Sequence, residues 1–191
     1  MISITEAEHI IKNSTIVLES QSLGLINSIG HYLSDDVFSP MHMPPFSQSA
    51  MDGYAVCGTT NTFKVIGEIQ AGDSCAYVLK TGEAYRIFTG AMIPENTTSI
   101  AKQEIIERSK ADIRLTENLK TGTSIRLAGE ELRTGDLVLK KGTKINAAAI
   151  GLLSGLGIQY VNVFKKPRIT LVITGDELTK QGETLVKGRI F

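Results

Sequence analysis

At 191 residues the chain has room for one or two domains, and 42% hydrophobic against 21% charged residues is the balance of a soluble globular protein. Twenty basic and twenty acidic residues cancel to a formal charge of 0, so no field draws the chain to nucleic acid or to an anionic membrane. No apolar run approaches the ~18 residues of a membrane span, and Met1 to Glu6 lacks the basic start and apolar core of a signal peptide. Cys57 and Cys75 stand alone, which is the usage of buried free thiols in a reducing cytoplasm. His9, His31 and His42 lie at no ligand spacing near either cysteine, which argues against zinc.

In chain order, Ser3 with Glu6 fits a capping box and opens a helix through Ala7, Ile10 and Ile11, ended by Asn13-Ser14. Thr15 to Glu19 is β-branched and is expected to be extended. Leu25, Ile26, Ile29 and Leu33 recur at spacings of three and four, predicting a second helix over Leu23 to Leu33 despite Gly30. An extended segment, Asp35 to Pro40, leads to Pro44-Pro45, whose fixed φ values make a stiff arm. Ser47, Gln48 and Ser49 follow with free polar groups, and Asp52-Gly53 is a turn signal before a strand at Tyr54-Ala55-Val56.

From there to Leu139, strand-like runs alternate with glycine breaks. The runs are Phe63–Ile66, Tyr85–Phe88, Ser99–Lys102, Ile105-Ile106, Ile113–Leu115 and Ser124–Leu127. That texture predicts a small barrel or sandwich inserted between helical segments. Asn146 is an N-cap signal for a helix that stops at Gly155 to Gly157, and Ile158 to Val163 alternates as a half-buried strand. Arg168 to Ile173 is nearly all apolar, like an inner strand of a parallel sheet. Thr174-Gly175-Asp176-Glu177 follows it, where open α/β sheets place ligands.

Three stretches could carry chemistry, and each has a plain alternative. Asp52, with Ser49 nearby, is either a rigidly presented carboxylate or only an Asx-turn residue. Thr89-Gly90-Ala91 either turns donors on an anion or is a simple turn. Asp176 and Glu177 either hold Mg²⁺ or sit on a solvated, capping loop. Arg126, before Gly129-Glu130-Glu131, either binds phosphate or makes a surface ion pair.

Taken together, these stretches carry a resemblance. Pro45-Phe46 through Ser49-Ala50-Met51-Asp52-Gly53-Tyr54-Ala55 resembles the signature of the molybdopterin molybdenumtransferase family (MoeA type, also the C-terminal part of gephyrin). Arg86-Ile87-Phe88-Thr89-Gly90-Ala91-Met92-Ile93-Pro94 resembles its second motif, and Gln103-Glu104 the strand after it. Arg126 with Gly129-Glu130 resembles the third, and Leu152 to Ile158 with Thr174 to Leu178 the approach to the pterin-binding domain.

The resemblance implies an α+β multidomain chain. Residues 1–50 and 140–166 would form an elongated helical and extended N-terminal domain, interrupted by a β-barrel at 51–139. Residues 167–191 would open a molybdopterin-binding α/β domain. It implies insertion of molybdate into adenylylated molybdopterin with release of AMP, Mg²⁺ as cofactor, a cytoplasmic homodimer, and a molybdopterin adenylyltransferase as a further partner. On matching positions it implies Asp52, Thr89 and Glu177 as catalytic, with Asp52 and Glu177 as metal ligands. Ser49, Arg126, Gly175 and Asp176 are implied as substrate-binding. The family's later glycine-rich and Pro-Gly-Lys-Pro motifs do not occur, so the chain is expected to match an N-terminal part and to be inactive alone. Glu131 stands where Asp is usual, His31 where Arg is usual, and Leu127-Ala128 where basic residues are frequent. The competing expectation is a non-catalytic dimerising scaffold or partner-docking module.

Overall fold

A computed structural model describes residues 2–74 and 76–191; Cys75, expected as a buried thiol, lies outside them. Helix α1, Ile4–Ser14, is held by its own ends. Ser3 Oγ accepts the Glu6 amide at 3.1 Å, and Thr15 Oγ donates to the Lys12 carbonyl at 2.8 Å. Such an N-cap is worth ~1 kcal/mol. No residue of α1 is buried, so its apolar side chains Ile4, Ile10 and Ile11 face solvent.

Strand β1 begins at Ser20 and runs to Gly24; the extended run expected at Thr15 to Glu19 is not part of it. The helix expected over Leu23 to Leu33 does not form. One 3-10 turn covers Leu25–Ser28, and Gly30 then adopts φ +76°. Partners distant in sequence decide this. The amides of Gly30 and Leu33 donate to Ile145 and Thr143 at 2.8 and 3.0 Å, and Leu25 and Leu33 are buried while Ile26 and Ile29 stay exposed. The three-and-four spacing therefore marks no single buried face.

Short strands follow in order: β2 Val37–Phe38, β3 Gln48–Ser49, β4 Gly53–Val56, β5 Thr62–Ile69, β6 Glu83–Ile87 and β7 Ser99–Lys102. After a 3-10 turn at Gln103–Ile105 come β8 Ile106–Ser109, β9 Asp112–Leu115, β10 Ile125–Arg126 and β11 Leu137–Leu139. Helix α2, Ala147–Gly155, has Asn146 as N-cap with its side-chain oxygen accepting the Ala149 amide at 2.9 Å. Strand β12, Tyr160–Phe164, is the last regular element described.

Two assemblies result. In the first, β1 pairs antiparallel with β12, β2 with β11, and α2 packs over them. Leu25, Leu33, Ile145, Ala149, Leu153, Val161 and Val163 form its core, drawn from both ends of the sequence. In the second, six strands form one sheet in the order β7-β4-β6-β5-β9-β8. Its edges, β7 and β8, are joined by only the three-residue turn, so the sheet must curl until they are neighbours. No ladder bonds join those edges among the described residues, so of the small barrel or sandwich expected from the sequence a curled half-barrel is what is present.

Central strand β4 is buried on both faces. Tyr54 and Val56 meet Phe63, Ile113 and Leu115 on one side; Ala55 and Cys57 meet Ile69, Ile87 and Ile100 on the other. Each fully buried Phe or Ile contributes ~1.5–3 kcal/mol, so the two layers fix the sheet that carries the site.

The described residues are thus mostly sheet with two α-helices, and of the helical and extended N-terminal domain expected from the sequence the helical character is not evident. Nor does the apolar strand expected at Arg168 to Ile173 form. Those residues have no regular structure, and Ile169, Leu171, Val172 and Ile173 are between 78% and 83% exposed. A strand needs a ladder partner for its backbone groups, and none of the described residues pairs with this run.

Candidate functional site

Asp52 ends the arm and Thr89 lies in the turn just past strand β6, thirty-seven positions later. The sheet register joins them: β4 pairs with β6 as Gly53↔Ile87 and Tyr54↔Arg86, so the loops at this end lie side by side. Asp52 Oδ1 accepts both the Thr89 amide and the Thr89 hydroxyl, each at 2.8 Å. These two donors, the amide foremost, hold the Asp52 carboxyl below its ordinary pKa, with the Arg86 charge assisting against partial desolvation. Thr89 spends its hydroxyl proton on Asp52, so towards a ligand its oxygen can only accept.

Two glycines make this geometry possible. A Cβ on Gly53 would lie 2.0 Å from the Ala101 carbonyl oxygen, so only glycine lets β7 approach β4 here. Gly90 turns the chain after Thr89 at φ +82° and gives its amide to the Ser49 carbonyl at 2.8 Å. Ser49 is itself buried, and its hydroxyl donates to the Met51 carbonyl at 2.6 Å. It ties the Asp52 loop together from inside and presents nothing to the surface.

Met51, Asp52, Thr89, Gln103 and Glu104 line one open pocket of about 690 Å³. A second pocket of about 480 Å³, between Gly24–Asn27 and Gly157–Tyr160, carries no carboxylate. Glu104 and Gln103 arrive there because β7 pairs with β4 as Gly53↔Lys102, which sends the following turn past Asp52. Sequence reasoning placed them only on a strand. Their one local signal is the Gln-Glu pair directly after the strand-like run Ser99–Lys102.

The other candidate residues lie apart from this pair. Arg126 sits on β10, which pairs with β3 as Arg126↔Gln48. Its guanidinium is held by Glu130 at 2.9 Å and by Glu131, which together raise its pKa further, Glu130 more strongly. Arg126 and the Leu127 amide in turn lower Glu130. Of the two readings of Arg126, the ion pair is the one present. Gly175, Asp176 and Glu177 are exposed, and Gly175 takes φ +145° with the Glu177 carboxylate folded against it. The Ile190 amide donates to the Glu177 carbonyl at 2.8 Å, which anchors the loop locally. Among the described residues no hydrogen bond or ion pair links Glu177 to Asp52, and no three His, Cys, Asp or Glu side chains gather as a metal cage would need.

The family description "MoeA N-terminal region (domain I and II)" matches residues 2–157. A molybdopterin molybdenumtransferase of Haemophilus influenzae is 34% identical over 178 residues, 91% of this chain and 44% of that protein. One from Staphylococcus epidermidis is 31% identical over 198 aligned residues, 99% of this chain and 47% of that protein. The crystal structure of the molybdopterin biosynthesis MoeA protein from Pyrococcus horikoshii superposes with a TM-score of 0.81 at 30% identity. That superposition covers 100% of this chain and 51% of the other. The chain thus spans about half the length of the relatives it matches, and it belongs to the MoeA family, whose N-terminal region it resembles from end to end of that match.

Proposed function

We propose that this chain supplies one half of the site of a molybdopterin molybdenumtransferase, a cytoplasmic enzyme of molybdenum cofactor biosynthesis. The reaction would insert molybdate into adenylylated molybdopterin and release AMP. The observation that carries this reading is the Asp52–Thr89 pair, an ionised carboxylate fixed by two donors at the rim of a polar pocket, in a chain of this family.

Mg²⁺ fits this pocket chemically, because it takes oxygen ligands from one or two carboxylates and keeps waters and substrate oxygens for the rest. Asp52 Oδ1 is occupied by Thr89, whereas no donor among the described residues engages Oδ2, and Glu104 lines the same pocket. Asp52 would hold the ion, with Glu104 as the second carboxylate within the pocket; Glu177, exposed on its own loop, would join only from another surface. When bound, Mg²⁺ would neutralise substrate oxygens. Thr89 keeps Asp52 ionised and aimed, and the Gln103 side chain and the Thr89 oxygen supply further polar contacts around the substrate. Gly175, Asp176, Glu177 and Arg126 would belong to a facing part of the site, in keeping with a homodimer. A molybdopterin adenylyltransferase is the further partner this reading implies.

The test is a chimera in which residues 1–191 replace the matched region of the Haemophilus influenzae relative. Asp52→Asn should lower its turnover at least ~10²-fold while the protein stays folded and dimeric, and the 191-residue chain alone should form no cofactor. Undiminished turnover would overturn the reading. A scaffold role is the second reading, favoured by α1, which presents Ile4, Ile10 and Ile11 with nothing packed on them, and by the equally bare Ile16 and Val17. A scaffold would leave turnover indifferent to Asp52.

A further inference from the structure

Arg86 joins the two loops of the pocket. Its Nη1 donates to the Gly53 carbonyl at 2.7 Å, immediately after Asp52. Its Nη2 donates to Gln103 Oε1 at 2.9 Å, and the Gln103 amide donates to the Asp52 carbonyl at 3.2 Å. The guanidinium carbon Cζ lies 4.6 Å from the Phe88 ring centroid and 5.3 Å from that of Tyr54. Phe88 directly precedes Thr89, and a longer contact reaches the Ile87 carbonyl at 3.4 Å. The ring Asp52–Gln103–Arg86–Gly53 is therefore closed by hydrogen bonds, and the same guanidinium packs against the residue that leads into Thr89.

We propose that Arg86 is the positioning residue of the Asp52–Thr89 pair, clamping the loop after β6 to the loop before β4 and to the turn that carries Gln103. This rests on the reading of that pair as the reactive end of the pocket. The chemistry requires arginine in particular. A planar fork can give one donor to a carbonyl and another to an amide oxygen while its faces stack on two rings. An ammonium on a flexible stem keeps the charge but cannot hold all four contacts. Arg86 never reaches the pocket lining itself, so its action on a substrate would run through Asp52, Thr89 and Gln103.

The experiment is amide hydrogen exchange and proton chemical shift in the ¹⁵N-labelled chain, for wild type, Arg86→Lys, Arg86→Gln and Gln103→Leu. Neither readout depends on turnover, so failure here is distinct from failure of the functional reading. In Arg86→Gln the Thr89 amide should move upfield as it leaves the carboxylate. Its exchange should quicken about tenfold, near the loss of one hydrogen bond. The Gln103 amide should follow, while Phe63, Ile113 and Leu115 across the sheet stay protected. Arg86→Lys should not rescue the Thr89 amide, and Gln103→Leu should reproduce part of the change with the arginine intact. The proposal is overturned if Arg86→Lys restores wild-type values at Thr89. It is equally overturned if exchange rises uniformly over all six strands, because the residue would then only stabilise the sheet. Should Arg86→Gln fail to fold, Arg86→Lys and Gln103→Leu decide the matter by the same two signals.

Discussion

A single carboxylate, Asp52, gathers most of the chemistry of this chain, and Thr89 determines its state. Two donors on one oxygen favour the charged form, and the Arg86 charge adds to them against partial desolvation. A carboxyl with a depressed folded-state pKa contributes stability above its unfolded pKa and loses it as pH falls through the folded value. Thr89→Val removes the hydroxyl donor and keeps the amide, so the Asp52 carboxyl should rise towards its ordinary range. Wild type should therefore melt above Thr89→Val at neutral pH, and the gap should close as pH falls through and below the ordinary aspartate range. Thermal melts at a series of pH values check this; a gap that widens in acid would contradict it. The sequence displayed Asp52 and Thr89 as motif residues, and their being partners followed only from the β4–β6 register. Arg126 shows the opposite case. A lone arginine among acids can be read either way from sequence, and in this structure it pairs with Glu130 and Glu131.

Among elements, those set by neighbours in sequence were legible and those set by distant partners were not. Ser3 and Asn146 cap their helices as their side chains dictate, and the strand-like run Ser99–Lys102 is β7 to the residue. Leu23 to Leu33 had helical spacing, yet its backbone is claimed by 143–145 and by Val163, which no local pattern reveals. Arg168 to Ile173 has strand composition without a strand partner, and composition alone does not make a ladder. Gln103 and Glu104 reach the pocket through the approach of β7 to β4, and that approach depends on Gly53. Adding one methyl there puts it 2.0 Å from a backbone oxygen that cannot swing away. Gly53→Ala should cost ~1–3 kcal/mol in urea denaturation and shift the Thr89 and Gln103 amides together. A stable variant with unmoved amides would show that β7 is not held there by the glycine.

At the scale of the whole molecule, two assemblies divide the work. The β1–β12 and β2–β11 ladders bring residues 20–38 and 137–164 together, and the curled six-stranded sheet between them in sequence carries the pocket. The half-barrel presents Asp52, Thr89, Gln103 and Glu104 on one rim, while Glu177 stands on a separate exposed loop. A site whose acids lie on separate surfaces of one chain is consistent with completion by a facing surface. The unburied apolar residues of α1 and of Ile169 to Ile173 leave area for such contact. Family membership was legible from the motif around Asp52, because its residues are consecutive. The half-barrel was legible only as a set of short strands, because closure depends on how the edges meet.

The central claim is that the Asp52–Thr89 pocket is where this chain meets an anionic substrate with its divalent ion. The most direct measurement is a map of amide shifts in the ¹⁵N-labelled chain on addition of Mg²⁺ with AMP, for wild type and Asp52→Asn. The account predicts shifts at Met51, Asp52, Thr89, Gln103 and Glu104 that vanish in Asp52→Asn. Shifts confined to Gly24–Asn27 and Gly157–Tyr160, or shifts at the pocket that persist without the Asp52 charge, would contradict it.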